Sequence, residues 1–170
     1  MNSEHEKLPN GKHEEHHHHE VPIKINKSEH KTHSGKNTVE HLKHLAGVPK
    51  DEVLSEFKHH EFVHLGNEGH VEIHGGEIFV SHHQGAPVVE VTNLNTNDSV
   101  RFHAKWDETL QKVWTTAYAE LKESSKPGDE LLCEDGATLM GHLKSTLAQL
   151  RDQNICPHRR YQIRRATGGA

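Results

Sequence analysis

Aromatic side chains are scarce in this chain, at 5% of 170 residues, and all hydrophobic types together reach only 31%. So little apolar surface excludes one large multilayered core and fits small folded units joined to polar sequence. No stretch approaches the roughly 20 apolar residues that span a bilayer as a helix, so a membrane protein is excluded. The opening MNSEHEKLPNGKHEEHHHHE has no apolar core and is not expected to act as a secretory leader. Cysteine is almost missing. Cys133 and Cys156 lie apart without CxxC spacing, and Cys133, on the apolar run ELLC, is expected to be a buried free thiol packing as a small hydrophobe. Cys156 has His158 nearby as a base but no third residue to orient a catalytic pair. A reducing, cytoplasmic compartment is the expectation.

Arginine is missing from the first half. Residues 1–87 carry 14 acidic and 9 basic side chains with no arginine, whereas 88–170 carry 11 of each, including all six arginines. No acid follows Asp152, and Arg159, Arg160, Arg164 and Arg165 come within a short span. Four arginines without interleaved stacking aromatics are a poor nucleic-acid signature, and an acidic protein partner fits them as well.

Histidine is what the chain has in excess: 20 residues, 17 of them before position 84. His13 and the run 16–19 carry imidazoles suited to zinc or nickel, but lack the rigid spacing of a structural site, so no metal is assigned. His41, His44, His64 and His74 fall on helical or alternating patterns at positions expected to be exposed.

Residues 1–20 have no apolar periodicity and read as a disordered, histidine-rich head. VPIKIN predicts a strand and KSEHKTHSGKN a turn with a weak second strand. Thr38 predicts the cap of a helix through TVEHLKHLAG, stopped by Gly47 and Pro49. EFVHLG, HVEIHGG and EIFVSH predict short strands. After a linker the order repeats: strands VVEVTN and SVRFHAK, then a helix capped by Asp107 or Thr109 with the stripe Leu110, Val113, Trp114, Ala117 and Leu121. The strand ELLC, a second helical pattern at Leu139, Leu143, Leu147 and Leu150, and the strand YQIRR complete it. The fold class expected is α+β, as two tandem β-grasp-like units. Their bounds are 1–20 for the head, 21–84 for the first unit, 85–88 for the linker, 89–167 for the second unit and 168–170 for a processable tail.

The final ATGGA carries the most chemical information. Two consecutive glycines after a strand make an arm without side chains that can thread a narrow channel. Such a terminus suits activation of its carboxylate: adenylation with ATP by a partner enzyme, thioester transfer to that partner's cysteine, and amide formation with a target lysine. Gly168 and Gly169 are the expected conjugation terminus, and the Gly169 to Ala170 bond is the expected processing site. The chain itself needs no catalytic residue and no cofactor, and is not expected to be an enzyme.

YQIRRATGG resembles the last strand and di-glycine tail of ubiquitin and ubiquitin-like modifiers. TVEHLKHLAGV with GHVEIHGGEIFV is similar to the repeats of the bacterial multi-ubiquitin family. The tandem layout resembles the interferon-induced two-domain modifier of vertebrates and the bacterial modifiers of anti-phage operons. The resemblance implies covalent tagging of target proteins, with phage structural proteins as the expected targets, through an E1-like activating enzyme, an E2-like conjugating enzyme and a JAB-type peptidase that removes Ala170. Arg164, Arg165, Arg159, Arg160 and Trp106 are assigned to the contact with the partner enzyme. Two features depart from ubiquitin: TLMGHLKSTLAQLRDQNICPHRR is longer and more helical than its counterpart, and the first unit ends in SHHQGAP without a di-glycine. A non-covalent β-grasp adaptor, a sulfur carrier and a histidine-rich metal buffer are the rivals. The blocking Ala170 and the tandem layout argue against the sulfur carrier.

Overall fold

The structure, a computed structural model, describes residues 19–165, so the head at 1–18 and the expected conjugation and processing sites at Gly168, Gly169 and Ala170 lie outside the described residues. Eleven strands and three α-helices among these residues give a mixed α and β architecture in several sheets.

Chain order in the first half is β1 (Glu20–Ile25), β2 (Ser28–His33), β3 (Gly35–Thr38), α1 (Val39–Leu45), β4 (Glu52–Lys58), β5 (Glu61–Leu65), β6 (His70–Ile73) and β7 (Ile78–His83). In β1 the alternation of isoleucines with Lys24 turns Ile23 and Ile25 into the core. Asn26 and Lys27 both take left-handed backbone, with φ of 51° and 70°, the two-residue hairpin turn whose twist matches its strands. Thr38 caps α1 as expected, its hydroxyl accepting from the His41 amide at 3.1 Å, and Val39 and Leu42 are fully buried. The main sheet runs β2-β1-β7-β4-β5, with β3 and β6 as a separate ladder. Its first and last strands, β1 and β7, are parallel neighbours. Gly75 and Gly76, at φ of 109° and 89°, make the turn into β7; a Cβ on Gly75 would come within 3.2 Å of Val21.

The second half runs β8 (Val88–Asn93), β9 (Ser99–His103), α2 (Leu110–Leu121), β10 (Glu130–Cys133), α3 (Leu147–Asp152) and β11 (Arg160–Arg164). Its sheet order is β10-β11-β8-β9, again with first and last strands, β8 and β11, parallel. Of the two caps proposed for α2, the structure selects Thr109, which accepts from the Lys112 amide. Leu110, Val113, Trp114 and Ala117 pack with Val89, Val91, Leu131, Tyr161 and Ile163 into a core separate from that of Ile23, Leu42, Leu54 and Phe79.

Three expectations are corrected. The sequence pattern predicts no strand at β4, where the structure has one. Leu54 points to the core, while Val53, paired with His82, is buried on the opposite face, so burial on both sides removes the alternation that marks a strand. The leucines 139 to 150 do not form one helix: a 3₁₀ turn at Met140–His142 precedes α3. Thr146 and Gln149 form a capping box that starts α3 anew. The two helix starts then satisfy one another. The amides of Leu110 and Gln111 donate to the Ser145 and Leu143 carbonyls, and those of Leu147 and Ala148 donate to Glu108 and Trp106. Third, neither cysteine is free, because Cys133 and Cys156 are joined in a disulfide. The antiparallel pairing of β10 with β11 sets Cys133 opposite Tyr161 and so beside the turn that holds Cys156.

Candidate functional site

The strand that precedes the di-glycine is held at the middle of its sheet. In β11 the side chains of Tyr161 and Ile163 enter the core, which by alternation leaves Arg160, Gln162 and Arg164 on the outer face. Burial pushes the Tyr161 phenol up to about 12.

Each of the four arginines assigned to partner contact has a partner within the chain. Arg164 donates from Nε and Nη2 to Glu130 Oε2, at 3.0 and 2.5 Å. Arg160 pairs with Glu134 at 3.5 Å. Arg165 donates to Glu123, and the same carboxylate accepts from the side-chain amide of Asn93 at 2.9 Å. Asn93 is fully buried, so Glu123 ties the end of β11 to the end of β8. Arg159 donates to the Val88 carbonyl at 3.3 Å and lies over the Trp106 ring. Trp106 is only partly exposed: the guanidinium groups of Arg151 and Arg159 lie 4.6 and 5.6 Å from its ring centroid, and its Nε1 donates to the Gly85 carbonyl at 3.0 Å. The structure thus brings Arg159 and Trp106 together and keeps Arg164 and Arg165 on separate glutamates. The exposed pairs of Arg160 and Arg164 hold little free energy, and a partner's carboxylate can take either arginine over.

The outer face of the second sheet carries ion pairs together with the buried Leu132 and the half-buried Gln162 and His103. Arg101 pairs with Glu90 at 2.6 Å, beside the Arg160 and Arg164 pairs. The corresponding face of the first sheet, with Val53, Ser55, Phe57, Phe62, Val80 and His82 placed on it by register, is largely apolar and meets β9 of the second half. There Phe62 and His103 approach with ring centroids 4.4 Å apart, and Arg101 donates to the His60 carbonyl at 3.0 Å. Lys27 reaches Glu120 of α2 at 2.5 Å. Between the halves lies a crevice of about 280 Å³ that takes in Glu52, His82, His83, His103, Glu108 and Glu120.

The singled-out His41, His44, His64 and His74 are exposed, as their patterns predict. His82 and His103, which were not singled out, are the ones with perturbed acidity. Burial, followed by the charges of His82 and His64, lowers His103 to about 4. Burial also lowers His82. Among twenty histidines no sequence signal marks these two; only their place on facing sheet surfaces does. Among the described residues no group of three or more histidine, cysteine, aspartate or glutamate side chains could hold a metal, and no helix is long and apolar enough to cross a membrane.

A second polar network lies behind α2. Tyr118 donates to Asp129 Oδ2 at 2.5 Å, and the Lys126 amide donates to the same oxygen. Burial first, and then Asp129, push the Tyr118 phenol well above its ordinary range.

No family model and no curated protein matches the sequence of this chain.

Proposed function

We propose that the chain is a ubiquitin-like protein modifier built of two tandem β-grasp folds and conjugated through Gly169. The observation that carries this reading is the strand order. In each half the first and last strands are parallel neighbours within the sheet, each flanked on its other side by an antiparallel strand, with a helix between the opening strands and the later ones. The second of these last strands, β11, leads directly toward the Thr167, Gly168 and Gly169 arm.

The chemistry proceeds in five steps. A JAB-type peptidase hydrolyses the Gly169 to Ala170 bond and releases alanine. The Gly169 carboxylate attacks the α-phosphorus of ATP on an E1-like enzyme, expelling pyrophosphate. The enzyme's cysteine thiolate then displaces AMP, forming a thioester that passes to an E2-like enzyme. A target lysine amine displaces the thiolate and loses a proton, leaving an isopeptide bond. This chain supplies only the electrophilic carbon, so it is not itself the enzyme. The paired arginines of β11 hold the arm's root in place while the partner enzyme works. Phage structural proteins are the proposed targets, in antiviral defence. ATP and its enzymes place the reaction in the cytoplasm, where the Cys133 to Cys156 bond is open to thiol reductants.

The test is intact mass before and after mixing with ATP, an E1-like, an E2-like and a JAB-type enzyme, and a cell lysate. Loss of one alanine followed by adducts joined through Gly169 to lysine is the expected result. An unchanged mass with demonstrably active enzymes overturns it in favour of a non-covalent adaptor. The in-chain pairing of all four arginines favours that second reading, and its mark is full function after deletion of residues 168–170.

A further inference from the structure

His82 of β7 and His103 of β9 stack face to face across the seam between the halves, with ring centroids 3.7 Å apart and planes 5° from parallel. The stack is built into the seam. Phe62 covers His103 from the side, and His103 Nδ1 is buried with no partner among the described residues. His82 Nε2 lies 2.8 Å from the Ser55 hydroxyl and its Nδ1 3.0 Å from the His83 carbonyl. A neutral ring with its proton on Nδ1 satisfies both contacts, since Nδ1 then donates to the carbonyl and Nε2 accepts from the hydroxyl. Two charged rings at this separation would repel each other, and burial withholds the water a charged ring needs.

We propose that the His82 and His103 stack is a proton-released latch, which clamps the two halves in one orientation while neutral and lets them part when a ring is protonated. The charged and titratable groups around it oppose protonation on balance. From the first half His64 of β5 and His83 of β7 disfavour a positive charge, whereas the His83 carbonyl bonded to His82 Nδ1 and Glu52 of β4 favour it, and Asp51 lies 3.6 Å from His83. From the second half Arg101 adds a positive charge on β9, itself paired with Glu90 of β8. Lys105, Glu108 and Glu120 stand at the crevice wall, Glu120 being held by Lys27. The other polar ties between the halves are Lys27 to Glu120 and Arg101 to the His60 carbonyl, with Trp106 reaching the Gly85 carbonyl of the linker.

The sign follows from where His103 titrates. In the closed form it sits at about 4, and freed from the seam it returns to about 6.5. The latch is therefore fully engaged above the free value and weakens as pH falls from there toward the closed value. From well above the free value to well below the closed value the ratio of closed to open molecules drops by roughly 300-fold, of which about 80-fold falls between the two midpoints.

Small-angle scattering and far-UV circular dichroism of the full chain, taken from about pH 7.5 to about pH 4, test this with wild type beside His103→Phe. Phenylalanine keeps a flat ring on His82 but takes no proton. The expected result is that wild type lengthens as pH falls, with its sheet signal intact, while His103→Phe stays compact. Lengthening that is missing, shared by the variant, or accompanied by loss of sheet overturns the latch. NMR of the His103 ring in wild type gives a reading independent of how the variant folds: a midpoint well below the ordinary histidine value supports the latch, and an ordinary one overturns it.

Discussion

Cys133 and Cys156 stand 5.6 Å apart at their α-carbons and are joined through their sulfurs, although 23 positions separate them in sequence. The bridge closes over the 3₁₀ turn and α3, a segment with little regular structure of its own, and ties it to β10. Closing a loop of this length restricts the unfolded chain by about 3 kcal/mol. Cys133→Ala with Cys156→Ala, or reductant on the wild type, should lower stability in urea unfolding by about that amount. Equal unfolding midpoints with and without reductant would show that the bridge is not formed in solution.

The elements that could be read from sequence are those whose signals are local. Thr38 and Thr109 cap helices because a hydroxyl three residues from an amide is a short-range device. Strands β1 and β8 show their alternation because one face alone is buried deeply. The features that could not be read depend on distant partners. Val53 and Leu54 are buried on opposite faces, so β4 has no period of two. The leucines from 139 to 150 keep helical spacing across a break made by Leu143 and Ser145, whose carbonyls serve the start of α2. The arginine cluster was legible as a cluster, but its partners Glu123, Glu130 and Glu134 come from another part of the chain. The two cysteines gave no sign of pairing, because only the register of β10 against β11 brings them together.

The two faces of β4 can be separated by mutation. Leu54→Ala removes a fully buried side chain from the first core and should cost about 3 kcal/mol. Val53→Lys forces a charge onto the face that carries His82 and should cost at least about 1 kcal/mol. Denaturant unfolding gives both figures. Only the second variant should also change scattering dimensions at neutral pH; the same change in Leu54→Ala would show that the faces are not independent.

Arg164 and Arg165 are adjacent yet differ in what their loss would do. Arg164 is exposed, as is its pair with Glu130, so Arg164→Glu should cost under about 1 kcal/mol in thermal unfolding. Arg165 meets a half-buried Glu123 that also holds the buried Asn93. Arg165→Glu sets two carboxylates against each other there and should cost about 2 kcal/mol or more. Equal costs would mean that the Glu123 link is not made. If the modifier reading holds, Arg164→Glu, which folds normally, is the variant in which slowed activation reports partner contact rather than damage.

The two tyrosines of the chain make its alkaline limit directly visible, because phenolate absorbs in the near ultraviolet where phenol does not. Tyr161 is raised to about 12 by burial, and Tyr118 is raised further by burial and the Asp129 carboxylate beside it. Both are neutral in the folded chain at a pH where an unfolded tyrosine, near 10, has begun to ionise. Their contribution to stability is therefore complete below the unfolded value and is lost as pH rises through the folded values. The expected record is a phenolate absorbance that stays flat past the ordinary tyrosine range and then rises together with the loss of the sheet's circular dichroism. Tyr118→Phe frees Asp129 of its hydroxyl partner and should cost about 1 to 2 kcal/mol at neutral pH, while Tyr161 keeps its late titration. Ordinary midpoints in a chain whose dichroism is still native would show that neither ring is buried as described.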